Sequence, residues 1–312
     1  MVKIYNSVYG ELVECSEIVD GVWVNMVLPT EEEIDFVCNK LGTDPDFIKA
    51  ALDEEERSRI EVDDDNGQVI ILVDTPYVQM KEQSKMYETI PIGIILTDLC
   101  IVTVSLQPSL ILEPFIKNTI KTFYTFKKSR FILQMLYKNA ELYLMCLKHI
   151  DKQSTLIEES LHKSMKNKEF IQLLTLEKSL VYISTSLKSN EIVMEKLLRY
   201  DFIKKYPDDT ELLEDTIIEN KQAIEMAKIY SDILTGTMDS FASLISNNLN
   251  IVMKRLTSIT IVMAIPTIIS SFFGMNVPVP FASNPFAFVG LIIGSIIICF
   301  VVIKYMTNRN MF

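Results

Sequence analysis

Two uncharged apolar stretches near the C-terminus restrict the possible folds of this chain more than any other feature. The first runs from Leu256 to Phe273 and the second from Phe286 to Ile303, and each is 18 residues long. A helix needs about 20 apolar residues to cross roughly 30 Å of hydrocarbon. The basic residues that flank the two stretches are Lys254, Arg255, Lys304 and Arg309. This pattern predicts two membrane spans, against the alternative of a helical hairpin buried in a soluble core.

The flanking charges also predict an orientation. The connection between the spans, residues 274–285, carries no charge. Positive residues prefer the cytoplasmic side of a membrane, so we expect both termini in the cytosol and the short connection outside. The segment Met1 to Glu17 lacks the apolar core of a signal peptide. We therefore expect a multi-pass protein of the cell (inner) membrane, surrounded by lipid.

Charge divides the chain into two parts. All 41 Asp and Glu residues lie at or before Asp239, whereas residues 251–312 have four basic side chains and no acidic one. Since the whole chain carries −11, the first 250 residues carry −15. A body of that charge repels phosphate, which argues against a nucleic-acid partner.

The reactive side chains do not form the pattern of an enzyme. The five cysteines are scattered without CxxC spacing, and His149 and His162 are the only histidines, so neither a disulfide framework nor a zinc module is predicted. No GxxxxGK[ST] run and no nucleophile–base pair stands out. We expect a protein that is not an enzyme and has no organic cofactor. The five cysteines are Cys15, Cys38, Cys100, Cys146 and Cys299.

Residues 1–112 have the pattern of a small cytosolic α/β domain. Thr30 followed by Glu33 predicts a capping box, and Asp44 followed by Pro45 predicts a second helix start. Residues 97–99 predict a hairpin turn between two strands. The runs rich in β-formers are Val69–Val73, Ile92–Leu96 and Cys100–Val104.

Glycine and proline are nearly absent from the middle of the chain, which predicts very long helices. The 92 residues between Pro114 and Pro207 contain neither, and the 58 between Pro207 and Pro266 contain only Gly236. A helix from about Asp209 to Phe273 would be about 100 Å long at 1.5 Å per residue.

We therefore predict an α+β cytosolic head with long stalk helices and two C-terminal transmembrane helices, predominantly α. The predicted segments are an α/β domain (1–112), long cytosolic helices (113–207), a stalk and first-span helix (208–273, with the span at about 256–273), an outside loop (274–285), a second span (286–304) and a cytosolic tail (305–312).

A stripe of residues that, apart from Met253, are all small or polar runs along the last long helix in heptad steps. The opposite face within the span reads Ile259, Val262, Pro266, Ile269 and Phe273. A 3.5-residue period fits parallel helices around a shared axis. The stripe positions are Asp232, Gly236, Asp239, Ser243, Ser246, Asn250, Met253, Thr257, Thr260, Ala264, Thr267, Ser271 and Gly274.

Two interpretations of the stripe remain open at this point. Ser and Thr are common in membrane helices, where they bond to their own i−4 carbonyls or join helices together. The continuation into Asp232 and Asp239 favours an ion path, because a carboxylate at a packed axis is costly without water or a cation. The alternative is that both aspartates are ordinary, solvated surface residues.

The stripe ends at Gly274-Met275-Asn276, directly after the first of two C-terminal spans. At this point the chain resembles the CorA family of magnesium channels, whose hallmark is a GMN tripeptide in this place. The resemblance covers about 60 residues at the C-terminus strongly, and the rest only in layout. It implies a homopentameric channel for hydrated divalent cations, with the first span of each subunit around the pore.

The resemblance also implies roles for individual residues. Asn276 would form a ring at the outer mouth, Met253 and Leu256 a hydrophobic constriction, and Asp239 a carboxylate ring at the inner exit. Gly274 would supply a tight turn and Met275 would shape the loop. The other implied pore-lining positions are Asn250, Thr257, Thr260, Ala264, Thr267 and Ser271, with Asp232 beside the exit.

Regulation by cytosolic Mg²⁺ is a further implication of the family. Asp215 matches an acidic stalk position that binds regulatory Mg²⁺, although an ordinary solvated charge fits the sequence equally. Candidates for its partner on the head are Asp74 and the turn Asp63 to Asp65. Mg²⁺ is thus expected both as the transported and as the regulatory ion.

Three functions remain in competition. The first is Mg²⁺ influx driven by the membrane potential. The second is the same architecture carrying Co²⁺, Ni²⁺ or Zn²⁺. The third is a membrane-anchored coiled-coil scaffold that conducts nothing.

The chain departs from the family pattern in two places. The outside loop lacks the acidic residues that many members have, so external cation attraction would rest on Asn276 and carbonyls. Phe273 stands where many family members have Tyr.

Overall fold

The computed structural model describes residues 1–63, 66–81, 84–120, 123–164, 167–204, 206–276 and 286–309. Contacts between residues divide the chain into two compact units, Met1–Gly236 and Thr237–Phe312. The six-segment division made from the sequence stays a prediction.

The first unit contains a seven-stranded sheet in the order β2-β1-β3-β7-β6-β5-β4. Neighbouring strands pair antiparallel, except β3 and β7, which are parallel. The strands are β1 (Val2–Val8), β2 (Glu11–Cys15), β3 (Trp23–Val27), β4 (Arg59–Val62), β5 (Val69–Lys81), β6 (Ser84–Leu96) and β7 (Ile101–Ser105).

Eight helices are present in the described residues, and three of them are long. The longest, α7, has 67 residues and contributes its first part, to Gly236, to the first unit and the remainder to the second. The helices are α1 (Glu31–Leu41), α2 (Pro45–Ala50), α3 (Glu113–Ile116), α4 (Lys128–Ser164), α5 (Asn167–Leu197), α6 (Asp201–Lys204), α7 (Pro207–Phe273) and α8 (Ala287–Asn308).

The sheet separates two hydrophobic clusters, because successive residues of a strand point to opposite faces. In β5, Ile70 and Leu72 belong to the cluster that contains the residues of α1 and α2. Ile71 and Val73 belong to the other cluster, which contains residues of α4, α5 and α7. Trp23 lies at the centre of the second cluster, and its indole N–H donates to the Thr103 hydroxyl over 2.8 Å. The head is thus a layered α/β unit, as the sequence predicts.

A buried aspartate joins the beginning of α7 to that of α4. Asp209 is only 4% exposed. Its carboxylate accepts a hydrogen bond of 2.6 Å from the Ser129 hydroxyl and lies 3.3 Å from the Arg130 guanidinium. The long helix therefore begins at a fixed place on the head.

The local signals of the sequence are confirmed. Thr30 and Glu33 form both hydrogen bonds of the capping box, and the Asp44 side chain accepts from the backbone N–H of Asp46. Thr97 N–H donates to the Cys100 carbonyl over 3.0 Å, which closes the predicted turn between β6 and β7. The long helices predicted from the scarcity of glycine and proline are also present.

The second unit consists of the remainder of α7 with α8. Each helix contains a span-length apolar window, with mean hydropathy 1.9 in α7 and 2.7 in α8, and only 6% and 0% of these windows is buried. Helices of a soluble core are mostly buried, so this exposure argues against the hairpin in a soluble core and favours lipid as the surroundings.

Candidate functional site

The polar stripe predicted on α7 lies on an uncovered face of the helix. All 13 of its positions, from Asp232 to Gly274, are exposed in the single chain. Among them, Met253 is 52% exposed, and its neighbour Leu256, the other proposed constriction residue, is 58% exposed. Met253 and Leu256 are therefore large apolar side chains that one chain leaves uncovered on α7.

The hydroxyls of this stripe donate their protons back to their own helix. The Ser243, Thr260 and Thr267 hydroxyls donate to the carbonyls four residues earlier, over 3.0, 2.9 and 3.1 Å. This is the bonding expected of Ser and Thr in any membrane helix. It also fixes the polarity of the face, because each hydroxyl oxygen keeps lone pairs that accept hydrogen bonds. An acceptor face suits the outward-pointing protons of a hydrated cation.

The tripeptide follows the end of α7 directly. The Gly274 N–H continues the helical pattern by donating to the Ser270 carbonyl over 2.9 Å. Met275 is 53% exposed, and Asn276 is also exposed. The outside loop predicted beyond Asn276, from Val277 to Pro285, lies outside the described residues.

Gly274 lies in the turn that follows α7. Its φ is not in the left-handed region that favours glycine. A Cβ at this position would lie 3.3 Å from the Ser270 carbonyl oxygen and 3.6 Å from that of Ser271. The limit on a larger residue at Gly274 is therefore the space beside the last helical carbonyls, and its role in presenting Asn276 stays a prediction.

The opposite face of the first span lies partly toward α8. Val262, Pro266 and Ile269 are half-buried, as expected of a face that meets a second helix, whereas Ile259 is 53% and Phe273 is 38% exposed. The Cys299 thiol of α8 donates to the Val262 carbonyl over 3.7 Å. Within this unit α7 therefore presents two different faces, one to α8 and one to its surroundings.

Asp215 lies on an acidic surface of the head. It is exposed on α7, and its charge, like those of Glu141 of α4 and Glu219, acts on Tyr137. Burial raises the pKa of Tyr137 first, and the nearby carboxylates of Glu141, Glu219 and Asp215 raise it further while Lys138 lowers it. Among the described residues of one chain, no group of three or more His, Cys, Asp or Glu side chains is placed to hold a metal. A regulatory ion at Asp215 would need ligands from another subunit or from water.

Asp74, the first candidate partner of Asp215, is held inside the head. Asn190 accepts from its backbone N–H over 2.9 Å, and the amides of Asn139 and Asn190 donate to its carbonyl. Burial raises the pKa of its carboxyl, while hydrogen bonds from Ser186 and Ser58 lower it. The sequence contained one signal of this environment, an Asp at the end of a buried β-run. Of the other candidate turn, Asp64 and Asp65 lie outside the described residues.

Comparison with known proteins gives consistent matches over nearly the whole chain. The family described as CorA-like Mg²⁺ transporter protein matches residues 20–307. The cobalt/magnesium transport protein CorA of Methanocaldococcus jannaschii is 26% identical over 294 residues, covering 93% of this chain and 90% of that protein.

Solved structures share the fold. The complete structure of the M. jannaschii CorA magnesium transporter aligns with a TM-score of 0.84 at 23% identity, covering 98% of this chain and 97% of the other. The full-length CmaX protein aligns with a TM-score of 0.72 at 15% identity, again over 98% and 97%. Both likenesses extend through the head and the C-terminal helices.

Proposed function

This chain belongs to the CorA-like Mg²⁺ transporter family, and from that premise we propose that it is a channel for Mg²⁺ influx driven by the membrane potential. The observation that carries the proposal is the uncovered polar face of α7, which runs from Asp232 to the Gly274-Met275-Asn276 tripeptide. A transporter needs a polar path through hydrocarbon, and Thr257, Thr260, Thr267 and Ser271 give this face polar groups along the predicted span.

The path is completed by several copies of the chain. One helix cannot enclose a pore, and α7 leaves its polar face open while its other face is occupied by α8. The heptad spacing supports a bundle of parallel α7 helices. The spacing alone allows four, five or six copies, and the family resemblance favours the homopentamer.

The chemistry of the face suits hydrated Mg²⁺. Mg²⁺ releases its waters reluctantly, so a pore that accepts hydrogen bonds from those waters avoids the cost of removing them. A ring of Asn276 amide oxygens would bind the hydrated ion at the outer mouth. Thr267 and Thr260, whose protons are held by their own backbone, would repeat this contact further down.

The inner part of the path differs in character. Met253 and Leu256 would form an apolar constriction that closes by dewetting. Asp239 and Asp232, both exposed, would concentrate cations at the cytosolic exit. Asn250 separates these two regions with a neutral polar side chain.

The decisive experiment measures Mg²⁺ uptake into liposomes that contain the purified protein, under an inside-negative potential. Wild type is compared with Asn276→Ala and with Asn308→Ala, an equal change at the exposed end of α8. We expect Asn276→Ala to abolish selective Mg²⁺ flux with the oligomer intact, and Asn308→Ala to conduct like wild type.

Each other result has a definite meaning. Equal flux through wild type and Asn276→Ala would refute the proposed outer site. No flux through wild type, even with a Mg²⁺-free lumen, would favour the membrane-anchored scaffold. Native mass spectrometry of the same samples would count the subunits.

Co²⁺ is the second candidate ion, because the related M. jannaschii protein is named as a cobalt/magnesium transport protein. The same liposomes measure this directly when Co²⁺, Ni²⁺ and Zn²⁺ are added as competitors. A lower half-inhibitory concentration for Co²⁺ than for Mg²⁺ would make Co²⁺ the preferred cargo.

We also infer that Asp215 binds a regulatory Mg²⁺ between subunits. Its support is the group of carboxylates around Tyr137, because Mg²⁺ prefers oxygen ligands and keeps several waters. Millimolar Mg²⁺ is expected to protect wild type from proteolysis and to protect Asp215→Ala much less. Unchanged protection would make Asp215 an ordinary surface residue.

A further inference from the structure

The first span contains a proline in its middle, and this leaves a gap in its hydrogen bonding. Pro266 lies inside α7 and has no backbone N–H. The carbonyl of Val262, four residues earlier, therefore lacks the donor that every ordinary helical carbonyl has. In hydrocarbon no water is available to replace that donor, so a neighbouring group must satisfy the carbonyl.

The neighbouring group is a thiol of α8. Cys299 is half-buried, and its Sγ donates to the Val262 carbonyl over 3.7 Å. The three residues on either side of Cys299 are Ile, Ile, Ile and Phe, Val, Val, so it is the only side chain of that stretch with a hydrogen-bond donor. The Cys299 thiol thus donates to the Val262 carbonyl, which is the carbonyl that loses its helical N–H donor because of Pro266.

The turn of α7 that lacks this hydrogen bond also contains residues of the polar face. Thr267 follows Pro266 directly and holds its own hydroxyl on the Met263 carbonyl over 3.1 Å. Ala264 precedes it on the same face. The direction of the Val262 carbonyl and the placement of Thr267 both depend on how this turn of α7 is held.

We propose that Cys299 is a positioning residue for transport: its thiol replaces the hydrogen bond that Pro266 removes and fixes the turn that presents Thr267 to the ion path. This inference rests on the proposed function for its transport part, whereas the hydrogen bond itself does not. The thiol acts through α7 and touches no ion.

A double-mutant cycle tests the proposal, because the thiol and the proline are linked through one carbonyl. Cys299→Ala and Cys299→Ser both remove the volume of the sulfur, but only serine keeps a donor. Pro266→Ala restores an N–H that bonds the Val262 carbonyl within the helix. Cys15→Ala, a half-exposed cysteine of β2 in the first unit, is the matched control.

We expect Cys299→Ala to reduce Mg²⁺ flux about threefold to tenfold, in line with the loss of one hydrogen bond per subunit. Cys299→Ser should restore most of the flux, and Cys15→Ala should leave it unchanged. In the Pro266→Ala background, Cys299→Ala should have no further effect. The S–H stretching band of Cys299, taken as the Raman difference between wild type and Cys299→Ala, should show a hydrogen-bonded thiol.

Three results would overturn the inference. These are an equal loss in both backgrounds, a serine variant no better than alanine, and an S–H band of a free thiol. A wild type that conducts no ion would instead overturn the proposed function and the transport part of this inference. In that case the S–H band and the same cycle in thermal unfolding still decide whether Cys299 satisfies the carbonyl of Val262.

Discussion

Asp74 shows how much a single buried carboxyl depends on its surroundings. Burial is the main cause of its raised pKa, and the hydrogen bonds from Ser186 and Ser58 only partly oppose it. A carboxyl whose pKa is higher in the folded protein binds its proton more tightly there than in the unfolded chain. Its contribution to stability is therefore complete below the unfolded pKa of about 3.9 and is lost as the pH rises through the folded value.

Replacement of Asp74 by Asn should remove the loss of folding stability that accompanies ionisation of this carboxyl at higher pH. We expect Asp74→Asn to unfold at a higher temperature than wild type at pH 7.5, with the difference vanishing near pH 4. Each tenfold rise in proton affinity is worth about 1.4 kcal/mol, and 1 kcal/mol corresponds to about 2–4 °C in a unit of this size. Thermal unfolding of the full chain in detergent across this pH range measures the effect.

The matched control is Asp98→Asn in the exposed turn between β6 and β7. It should leave the pH dependence of unfolding as in wild type. An Asp74→Asn protein that is less stable than wild type at pH 7.5 would mean that the ionised carboxylate stabilises the head.

Thr267 offers a test of the acceptor face at the same scale. Its hydroxyl donates to Met263, so its oxygen is an acceptor toward the surroundings. Thr267→Val keeps the shape and removes the oxygen, and a hydrogen bond contributes about 1 kcal/mol net. We therefore expect a roughly fivefold or greater reduction of Mg²⁺ flux, and near wild-type flux for Thr267→Ser.

Ile268→Val, one position off the stripe and 53% exposed, is the control for a small change of shape in the same turn. Liposome uptake under a fixed potential measures all three variants. Flux through Thr267→Val at the wild-type level would mean that this hydroxyl serves only its own helix.

The hydrogen bonds of individual residues could be predicted where the two partners are close in sequence. Thr30 and Glu33 are three positions apart, so the capping box follows from local chemistry alone. Asp74 is different, because Asn139 and Asn190 reach it from 65 and 116 positions away. The bonding of Cys299 to Val262 was hidden for the same reason, although Pro266 marked the carbonyl that needed a donor.

At the level of elements, helices were easier to predict than strands. A helix needs only continuous local hydrogen bonding, so the absence of glycine and proline was a sufficient signal for α4 and α5, and their near absence, with only Gly236 and Pro266 after the first residue, was the signal for α7. No equal signal in the sequence marks β1, β2, β3 or β4. β2 and β4 are edge strands with exposed or half-exposed residues, and their pairing partners define them.

The phase of the stripe along α7 can be tested as a property of the whole helix. One alanine inserted after Ser243 turns Asp239 by about 100° relative to Asn276, whereas seven inserted residues turn it by only about 20° from the original phase. We expect the single insertion to reduce Mg²⁺ flux at least tenfold and the heptad insertion to conduct substantially better. Liposome uptake and native mass spectrometry of both variants measure this.

The comparison separates phase from length, because the seven-residue insertion changes the length of α7 more but its phase less than the single insertion does. If the heptad insertion were the more damaging one, length and not phase would matter at this part of α7. Equal flux through both would mean that the stripe does not act as one continuous face.

On the scale of the whole molecule, charge is divided unevenly along the chain. The first 250 residues carry −15 and residues 251–312 carry +4, so in the proposed channel the acidic part would attract cations. No nucleotide-binding GxxxxGK[ST] run is present in the sequence. In the proposed channel, the energy for uptake comes from the movement of the ion's two charges through the membrane potential.

A channel of this kind has a calculable limit. Two charges that cross about 100 mV gain about 4.6 kcal/mol, which balances a roughly 2,000-fold outward Mg²⁺ gradient at about 1.4 kcal/mol per tenfold. We expect liposomes held at 100 mV inside-negative to take up Mg²⁺ against any smaller gradient, and to lose it when the potential is collapsed. Uptake that persists without a potential or an inward gradient would require another energy source and would contradict the channel. In the proposed channel Asp239 and Asn276 lie toward opposite ends of the polar face, so an ion that moves between them crosses the field, and the potential together with the Mg²⁺ gradient decides the direction of transport.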